Sequence, residues 1–279
     1  MTDGLAKNML KIKEGDISLL NEEVEHTSHI VVKQLPSGFK GYPEGTKISY
    51  KPITLEELEA LNSDEMDPAR AVAMLLNAIH CTTLPTEELY YWDVMYIGIQ
   101  RKLLAFGDTK GTLYARCRKC GNLVSHTFSY TDMEFKEINA PDLPMKLDVC
   151  GKPLEFSELT MKDFLMIDGN QGELGVYARM IKNMPFDEAY ELVKNATGTD
   201  IKKLRFVDKQ LDFGIKPFFV ECDGEIEEDN PNYDGTAGSK KTLLTPCNER
   251  VVLEVRSPFE VVFPEDAADG DNDFEVQYG

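Results

Sequence analysis

The sequence predicts a mixed α+β fold, with a helical body, two cysteine-bearing β-hairpins and a turn-rich N-terminal arm. Three observations lead to this fold class. A stretch dense in Gly and Pro lies near the start, several segments carry apolar residues at three- and four-residue steps, and two pairs of strand-like segments meet at cysteines. Apolar residues make up 42% of the 279 residues, which is enough to build a core and excludes wholesale disorder.

The N-terminal strand and arm occupy residues 1–53. An alternating run predicts a strand at residues 29–33. The segment after it reads LPSGFKGYPEGTKISYKPIT, and its Gly and Pro content predicts turns, with a second short strand at residues 47–50.

The first part of the helical body is predicted at residues 54–110. Thr54 and Glu57 have the spacing of a capping box, which opens a helix that reads LEELEALN. Pro68 takes the first position of a second helix, which continues as ARAVAMLLNAIHC. A third helix is predicted at residues 86–106, because its apolar residues recur on one face.

The rest of the chain divides by composition into alternating β and helical parts. In order, the predicted parts are the first cysteine hairpin (111–130), a Pro-rich crossing and second helical part (131–213), the second cysteine hairpin (214–258) with an acidic insertion (223–246), and an acidic tail (259–279).

The net charge of −19 is concentrated in two short segments. Residues 221–235 and 259–279 each hold seven acidic residues and no basic one. A surface of this sign repels polyanions, so we expect neither nucleic acid nor a membrane surface as a partner. No apolar run approaches the roughly 18 residues of a membrane span, and no signal peptide is recognisable, so we expect cytosolic synthesis with reduced cysteines.

The strongest chemical signal is the knuckle Cys117-Arg118-Lys119-Cys120-Gly121. A C-x-x-C-G turn places two thiolates on one side of a tight turn, and its glycine permits a positive φ. The second pair comes from an internal echo, by which we mean a repeated order of strand, cysteine, cysteine and strand. The order first occurs in TLYARC–KCG–NLVSHTFSY and occurs again in IKPFFVEC–PCN–ERVVLEV. Two hairpins with cysteines at their tips are the plan of a zinc ribbon, so Cys117, Cys120, Cys222 and Cys247 are the predicted ligands of one structural Zn²⁺.

Cys222 and Cys247 are separated by 24 residues instead of two, which we interpret as an insertion at the tip of the second knuckle. Other interpretations stay open. The CxxC pair could be redox-active, or the site could hold a disulfide or free thiols in place of a metal. His126 could supply a ligand, and Cys150 could replace Cys222. Cys81 ends an apolar helix and is expected to be a buried apolar residue.

No catalytic motif is recognisable, so we predict no catalytic residue and no enzymatic activity. The nucleophile elbow, the HExxH helix and the phosphate-binding loop are all missing from the sequence. The glycine-containing run at residues 169–172 lacks the spacing and the lysine of an anion site, and we interpret it as a helix connection. The basic triplet Arg116, Arg118 and Lys119 lacks the interleaved aromatic residues of a nucleic-acid surface.

Several of these segments, taken in order, resemble the baseplate hub family of T4-like myoviruses, which are contractile-tail phages. The resemblance covers roughly residues 30–220 by motif order. It rests on the arm LPSGFKGYPEGTKISYKPITLEELEALN, then LYYWDVMYIGIQRKLLAFG, the CxxCG knuckle, DLP and GKPLEFSELTMKDFL.

The resemblance implies a non-enzymatic structural or assembly component of a contractile-tail baseplate hub. Its partners would be other hub or tail proteins, and it would belong to the tail baseplate of the virion, assembled in the host cytoplasm. The arm is the predicted partner surface, through Leu35, Pro36, Phe39, Tyr42 and Tyr50. The competing hypothesis is a zinc-ribbon adaptor that binds a host protein through its acidic loop.

Overall fold

The computed structural model describes residues 29–61, 68–167, 171–233 and 241–255. The acidic tail predicted at 259–279 lies outside these residues, as do residues 1–28 and the first two residues of the glycine-containing run at 169–172. Within the described residues the fold is mixed α+β, as predicted, with seven α-helices and several small antiparallel sheets. No described helix has both the length and the apolar character needed to cross a membrane.

The helices, in chain order, are α1 (Leu55–Leu61), α2 (Pro68–Ala78), α3 (Tyr91–Phe106), α4 (Met161–Leu165), α5 (Gly172–Met180), α6 (Phe186–Lys194) and α7 (Gly198–Leu211). The strands are β1 (Ile30–Val31), β2 (Ile48–Tyr50), β3 (Ile79–Cys81), β4 (Lys110–Arg116), β5 (Leu123–Ser129), β6 (Met145–Val149), β7 (Lys152–Phe156), β8 (Phe218–Glu221), β9 (Glu225–Asp229), β10 (Thr242–Pro246) and β11 (Arg250–Leu253).

The chain divides into two compact units, and the first is the helical one. It consists of the described parts of residues 29–107 and 134–214. Helix α3 is its most buried element, because the sequence YWDVMYIGI leaves almost no polar residue to face water. A second part of the core surrounds Phe156 and Phe213 and is covered by α5, α6 and α7.

Two helix boundaries in the first unit differ from the prediction. The second helix was expected to continue to Cys81, but it ends at Ala78 and the next three residues form β3, which pairs with β2. The third helix was expected to begin at Thr86, but residues 86–88 form a 3₁₀ turn and α3 begins only at Tyr91. The reason for the break is Tyr90, whose extended backbone bridges Thr160.

The Pro-rich crossing contains a hairpin that the sequence interpretation did not include. Strands β6 and β7 pair in antiparallel register and are joined at Cys150 and Gly151, which have φ values of 52° and 72°. Two consecutive residues with positive φ are typical of a tight hairpin turn. The signal was present as a Cys-Gly step between two short alternating runs.

The second unit is formed by residues 108–133 and 215–255 and consists mainly of strands. Strands β4 and β5 form the first cysteine hairpin, and β8 pairs with β11 to form the second. The two pairs pack through aromatic side chains, with the rings of Phe128 and Phe218 centred 5.0 Å apart. The insertion, predicted as a loop, instead contains a third antiparallel pair, β9 and β10.

Candidate metal centre

The internal echo in the sequence corresponds to two hairpins with the same local geometry. In the first, Arg116 pairs with Leu123 immediately outside the two cysteines, and the N–H of Cys117 donates to the carbonyl of Asn122. In the second, Glu221 pairs with Arg250 at the equivalent positions. There the N–H of Cys222 donates to the carbonyl of Glu249, the residue equivalent to Asn122, at 2.8 Å. The two knuckles are therefore a structural repeat, although the second is interrupted by the insertion.

The residue after the second cysteine of each knuckle has a left-handed backbone. Gly121 has φ of 76°, and Asn248, its equivalent after Cys247, has φ of 48°. Glycine adopts this conformation without steric cost, and asparagine is among the few other residues that tolerate it. The conformation turns the chain back into the following strand and leaves the preceding sulfur at the tip of the hairpin.

The four predicted sulfur ligands lie together. The Sγ atoms of Cys117, Cys120, Cys222 and Cys247 are all within 4.8 Å of one another. The separation is 3.7 Å between Cys117 and Cys247 and 3.4 Å between Cys120 and Cys222. Four sulfurs bound tetrahedrally at about 2.3 Å from zinc would lie about 3.8 Å apart. A disulfide requires about 2.05 Å, so these cysteines are free thiols spaced for a metal ion.

Backbone N–H groups surround the sulfurs in the same pattern in both knuckles. The N–H groups of Asn122, Gly224 and Glu249 are directed at the cysteine sulfurs two residues before them. In the first knuckle, hydrogen bonds from the N–H groups of Cys120 and Lys119 lower the pKa of Cys117 to about 7, against the opposing effect of burial. Such donors favour thiolate, which is the form that binds a metal. At Cys120, Cys222 and Cys247 the effects of burial and of the neighbouring thiols outweigh the donors and raise the pKa.

The cysteine cluster is closed to solvent on most sides. Cys117, Cys222 and Cys247 are at most 4% exposed, while Cys120 is partly exposed. Val124 and Val251 pack against the sulfurs, one from each hairpin, together with the partly buried Ile226. A metal with four thiolate ligands in this setting has no open coordination position, so it can hold the two hairpins together but cannot bind a substrate.

Two residues of the centre were not recognised from the sequence. Gly224 lies so close to the first knuckle that a Cβ atom on it would be 2.9 Å from the sulfur of Cys120. Asn122 donates from its side-chain amide to Asp223 at 2.9 Å and so links the two knuckles. These roles depend on contacts between segments about 100 residues apart.

The other candidate ligands lie outside the cysteine cluster. His126 lies on β5 with its ring 5.0 Å from that of Phe218, as part of the packing between hairpins. Cys81 lies in β3, and Cys150 occupies the β6–β7 turn with its thiol directed at the carbonyl of Leu192. The four sulfurs that meet are thus the ones predicted from the hairpin echo.

The predicted partner surface in the arm is partly buried within the first unit. Leu35, Pro36 and Tyr50 are core residues, because their apolar side chains pack inside the protein. Phe39 and Tyr42 remain partly exposed. The role of these five residues in partner binding stays a prediction. In this conformation, only Phe39 and Tyr42 among them have side-chain surface that a partner could contact.

The arm is held down by a buried carboxylate. Asp93 of α3 is fully buried and accepts hydrogen bonds from the N–H of Ser37 at 3.0 Å and from the hydroxyl of Tyr42 at 2.7 Å. The same hydroxyl accepts a hydrogen bond from the N–H of Tyr90. Burial raises the pKa of Asp93 to about 6, and the hydrogen bonds from Ser37 and Tyr42 oppose that rise.

Comparison of the chain with known protein families, with curated proteins and with solved structures finds no match.

Proposed function

We propose that this chain is a non-enzymatic structural or assembly protein that acts by docking on other proteins, with a structural Zn²⁺ ion joining its two cysteine hairpins. The observation that carries the proposal is the closed cluster of four cysteine sulfurs. A metal held there would stabilise a binding scaffold, because every coordination position is taken by a thiolate.

Zinc is the proposed metal because of the ligand set. Four thiolates in tetrahedral array suit zinc or an iron–sulfur centre, and the knuckle geometry with backbone donors at each sulfur fits a single ion. Metal analysis of purified protein by mass spectrometry tests this assignment. One zinc per chain supports it, and iron with an absorption band in the visible range contradicts it.

The proposed setting is the baseplate hub of a contractile phage tail, in the tail baseplate of the virion or in its assembly within the host cytoplasm. This part is supported by the order of motifs from the arm through the first knuckle to GKPLEFSELTMKDFL. The proposed partners are hub or tail proteins. The negative net charge argues against nucleic acid or an anionic membrane surface in their place.

Co-expression of the chain with the hub proteins of its own phage, followed by purification through a tag on the hub, tests the setting. Co-purification supports a hub role, and its failure with every hub and tail protein contradicts it. Analysis of mature particles then separates a structural subunit, which is present in them, from an assembly factor, which is absent.

The alternative of an adaptor that binds a host protein through its acidic segment is favoured by one specific observation. The insertion between Cys222 and Cys247 forms an exposed strand pair in place of a loop. A host protein that co-purifies with the chain while hub proteins do not would favour the adaptor.

A further inference from the structure

The insertion in the second knuckle forms a ribbon of two antiparallel strands, β9 and β10, with residues 225–229 facing residues 242–246. No third strand pairs with either of them in the part of the chain that is described. A two-stranded ribbon leaves two open edges, and an open edge is a template for an added strand.

The hydrogen-bond phase of the ribbon shows which backbone groups face each open edge. Asn230 donates to Lys241, and at the other end Cys247 donates to Gly224, each at 2.8 Å. Because hydrogen-bonded and non-hydrogen-bonded pairs alternate along antiparallel strands, the residues of β9 with outward N–H and C=O groups can be identified. They are Glu225, Glu227 and Asp229.

The same three residues present their side chains on one face of the ribbon. Their neighbours across the pair are Pro246, Leu244 and Thr242, and Leu244 is 64% exposed. Ile226 lies on the opposite face, where it packs against the cysteine cluster. The outer face therefore combines three carboxylates with an exposed leucine.

These carboxylates have no counter-charge within the described residues. Glu225, Glu227 and Asp229 are exposed, and none takes part in an ion pair or side-chain hydrogen bond there. The edge strands of β-sheets commonly carry charged side chains, most often lysine, which prevent them from pairing with the edge strands of other copies. An acidic edge gives the same protection, and it also favours a strand of opposite charge, since opposite charges directly across two strands attract.

We propose that the open edge of β9 binds an extended, basic segment of a partner protein by strand addition, with lysine or arginine residues at alternate positions facing Glu225, Glu227 and Asp229. The proposal rests on the part of the proposed function that has the protein dock on partners. It does not depend on the baseplate setting.

The probe for this site is a short synthetic peptide of alternating lysine and valine, labelled for fluorescence anisotropy and titrated with the full zinc-loaded chain. Two control peptides accompany it. One has glutamate in place of lysine, and the other has alternate backbone nitrogens methylated, so that it keeps its charge but cannot add as a strand. We expect binding of the first peptide only.

Three variants test which edge binds. Glu227→Pro removes one outward N–H and one charge but leaves the hydrogen bonds between β9 and β10 in place, whereas Glu227→Gln removes the charge alone. Leu244→Pro removes an outward N–H from the opposite edge and is the matched control. We expect a loss of about tenfold or more with Glu227→Pro, a smaller loss with Glu227→Gln, and little change with Leu244→Pro.

Each outcome of the experiment decides the proposal. Absence of binding to the wild-type chain overturns it, as does equal binding of the methylated peptide, which would mean attraction by charge alone. A loss with Leu244→Pro that equals the loss with Glu227→Pro also overturns it. Zinc content is measured on every sample, so that failure of the docking proposal is distinguishable from failure of the metal assignment.

Discussion

The Sγ atom of Cys120 lies 3.4 Å from that of Cys222, which follows it by 102 residues in the chain. One of the two cysteines ends the first knuckle and the other begins the second. A contact of this kind is stabilised only if something compensates for closing so long a loop. A shared metal ion would supply that compensation, since a structural zinc site contributes on the order of 10 kcal/mol to the folding of small domains.

Replacing one ligand tests the metal assignment. We expect Cys222→Ser to lower zinc content well below one ion per chain and to destabilise the second unit by several kcal/mol, because it removes a thiolate from a closed site. Cys81→Ser is the matched control, since Cys81 lies in β3 and outside the cluster. Full zinc occupancy and unchanged thermal unfolding in Cys222→Ser would show that the ligand set is wrong.

Removing the ribbon tests whether the insertion is separable from the metal centre. Deletion of residues 225–246 joins Gly224 to Cys247 and restores the spacing Cys-Asp-Gly-Cys, which matches the first knuckle. The two residues to be joined are already hydrogen-bonded neighbours, at 2.8 Å between the N–H of Cys247 and the carbonyl of Gly224. We expect the shortened chain to bind one zinc ion with unchanged or slightly greater stability, since closing a shorter loop costs less entropy, by about 2 kcal/mol at most.

The control for this deletion is removal of Asp223 and Gly224, which shortens the same loop but takes away a residue that contacts the first knuckle. Loss of zinc in the first deletion, with correct folding of the helical unit, would show that the ribbon is part of the metal centre and not an insertion in it.

The sequence predicted the four sulfurs because their signal is local. Each cysteine of the second pair adjoins a strand-like run, as in the first pair, and that pattern does not depend on the distance between the pairs. Gly224 and Asn122 could not be recognised in this way, since their roles consist of contacts between the two knuckles. The same limit explains the helix ends, because Tyr90 ends the 3₁₀ turn through a bridge to a residue 70 positions later. The β6–β7 hairpin was missed for a different reason, since Pro144 and Pro153 suggested an irregular crossing.

The glycine at the contact between the knuckles gives a third prediction. Gly224→Ala would place a methyl group 2.8 Å from Cβ of Asn122 and 2.9 Å from the sulfur of Cys120, so either the knuckle or the sulfur must move. We expect zinc affinity to fall by about tenfold or more, because outer-shell changes of this kind commonly cost that much. Competition with a coloured chelator measures the affinity. The control is Asp223→Ala, which removes a side chain next to Gly224 without adding volume and should lower zinc affinity less. Equal zinc affinities in Gly224→Ala and wild type would contradict the close contact.

A buried carboxyl in the first unit makes stability depend on pH. Glu158 is 7% exposed, and burial raises its pKa to about 8. Nearby Asp212 and Asp208 add to the rise, while the N–H of Leu159 and the charge of Lys182 oppose it. The unfolded chain binds fewer protons than the folded chain between the ordinary pKa of 4.5 and about 8. Stability contributed by this group therefore falls as pH rises through that range, by up to about 1.4 kcal/mol per pH unit.

Glu158→Gln removes this titration while keeping an acceptor for the N–H of Leu159. We expect the variant to match wild type near pH 5 and to be more stable than wild type near pH 8, as measured by urea unfolding at several pH values. Glu188→Gln is the control, since Glu188 is exposed on α6. A constant difference between Glu158→Gln and wild type across this range would contradict the raised pKa.

The carboxylate that holds the arm gives the last prediction. Asp93→Ala leaves the N–H of Ser37 and the hydroxyl of Tyr42 without their acceptor in a buried place. Each unsatisfied buried group costs about 1–3 kcal/mol, so we expect a loss of about 2–5 kcal/mol in the free energy of unfolding. Asp93→Ala should also increase the rate of amide hydrogen exchange at residues 37–42 more than at the centre of α3. Tyr42→Phe, which removes one of the two donors to Asp93, should cost less and change exchange in the same direction. If Asp93→Ala unfolds at the same urea concentration as wild type, then the arm is held by the burial of Leu35 and Tyr50 alone, and the hydrogen bonds to Asp93 contribute nothing net.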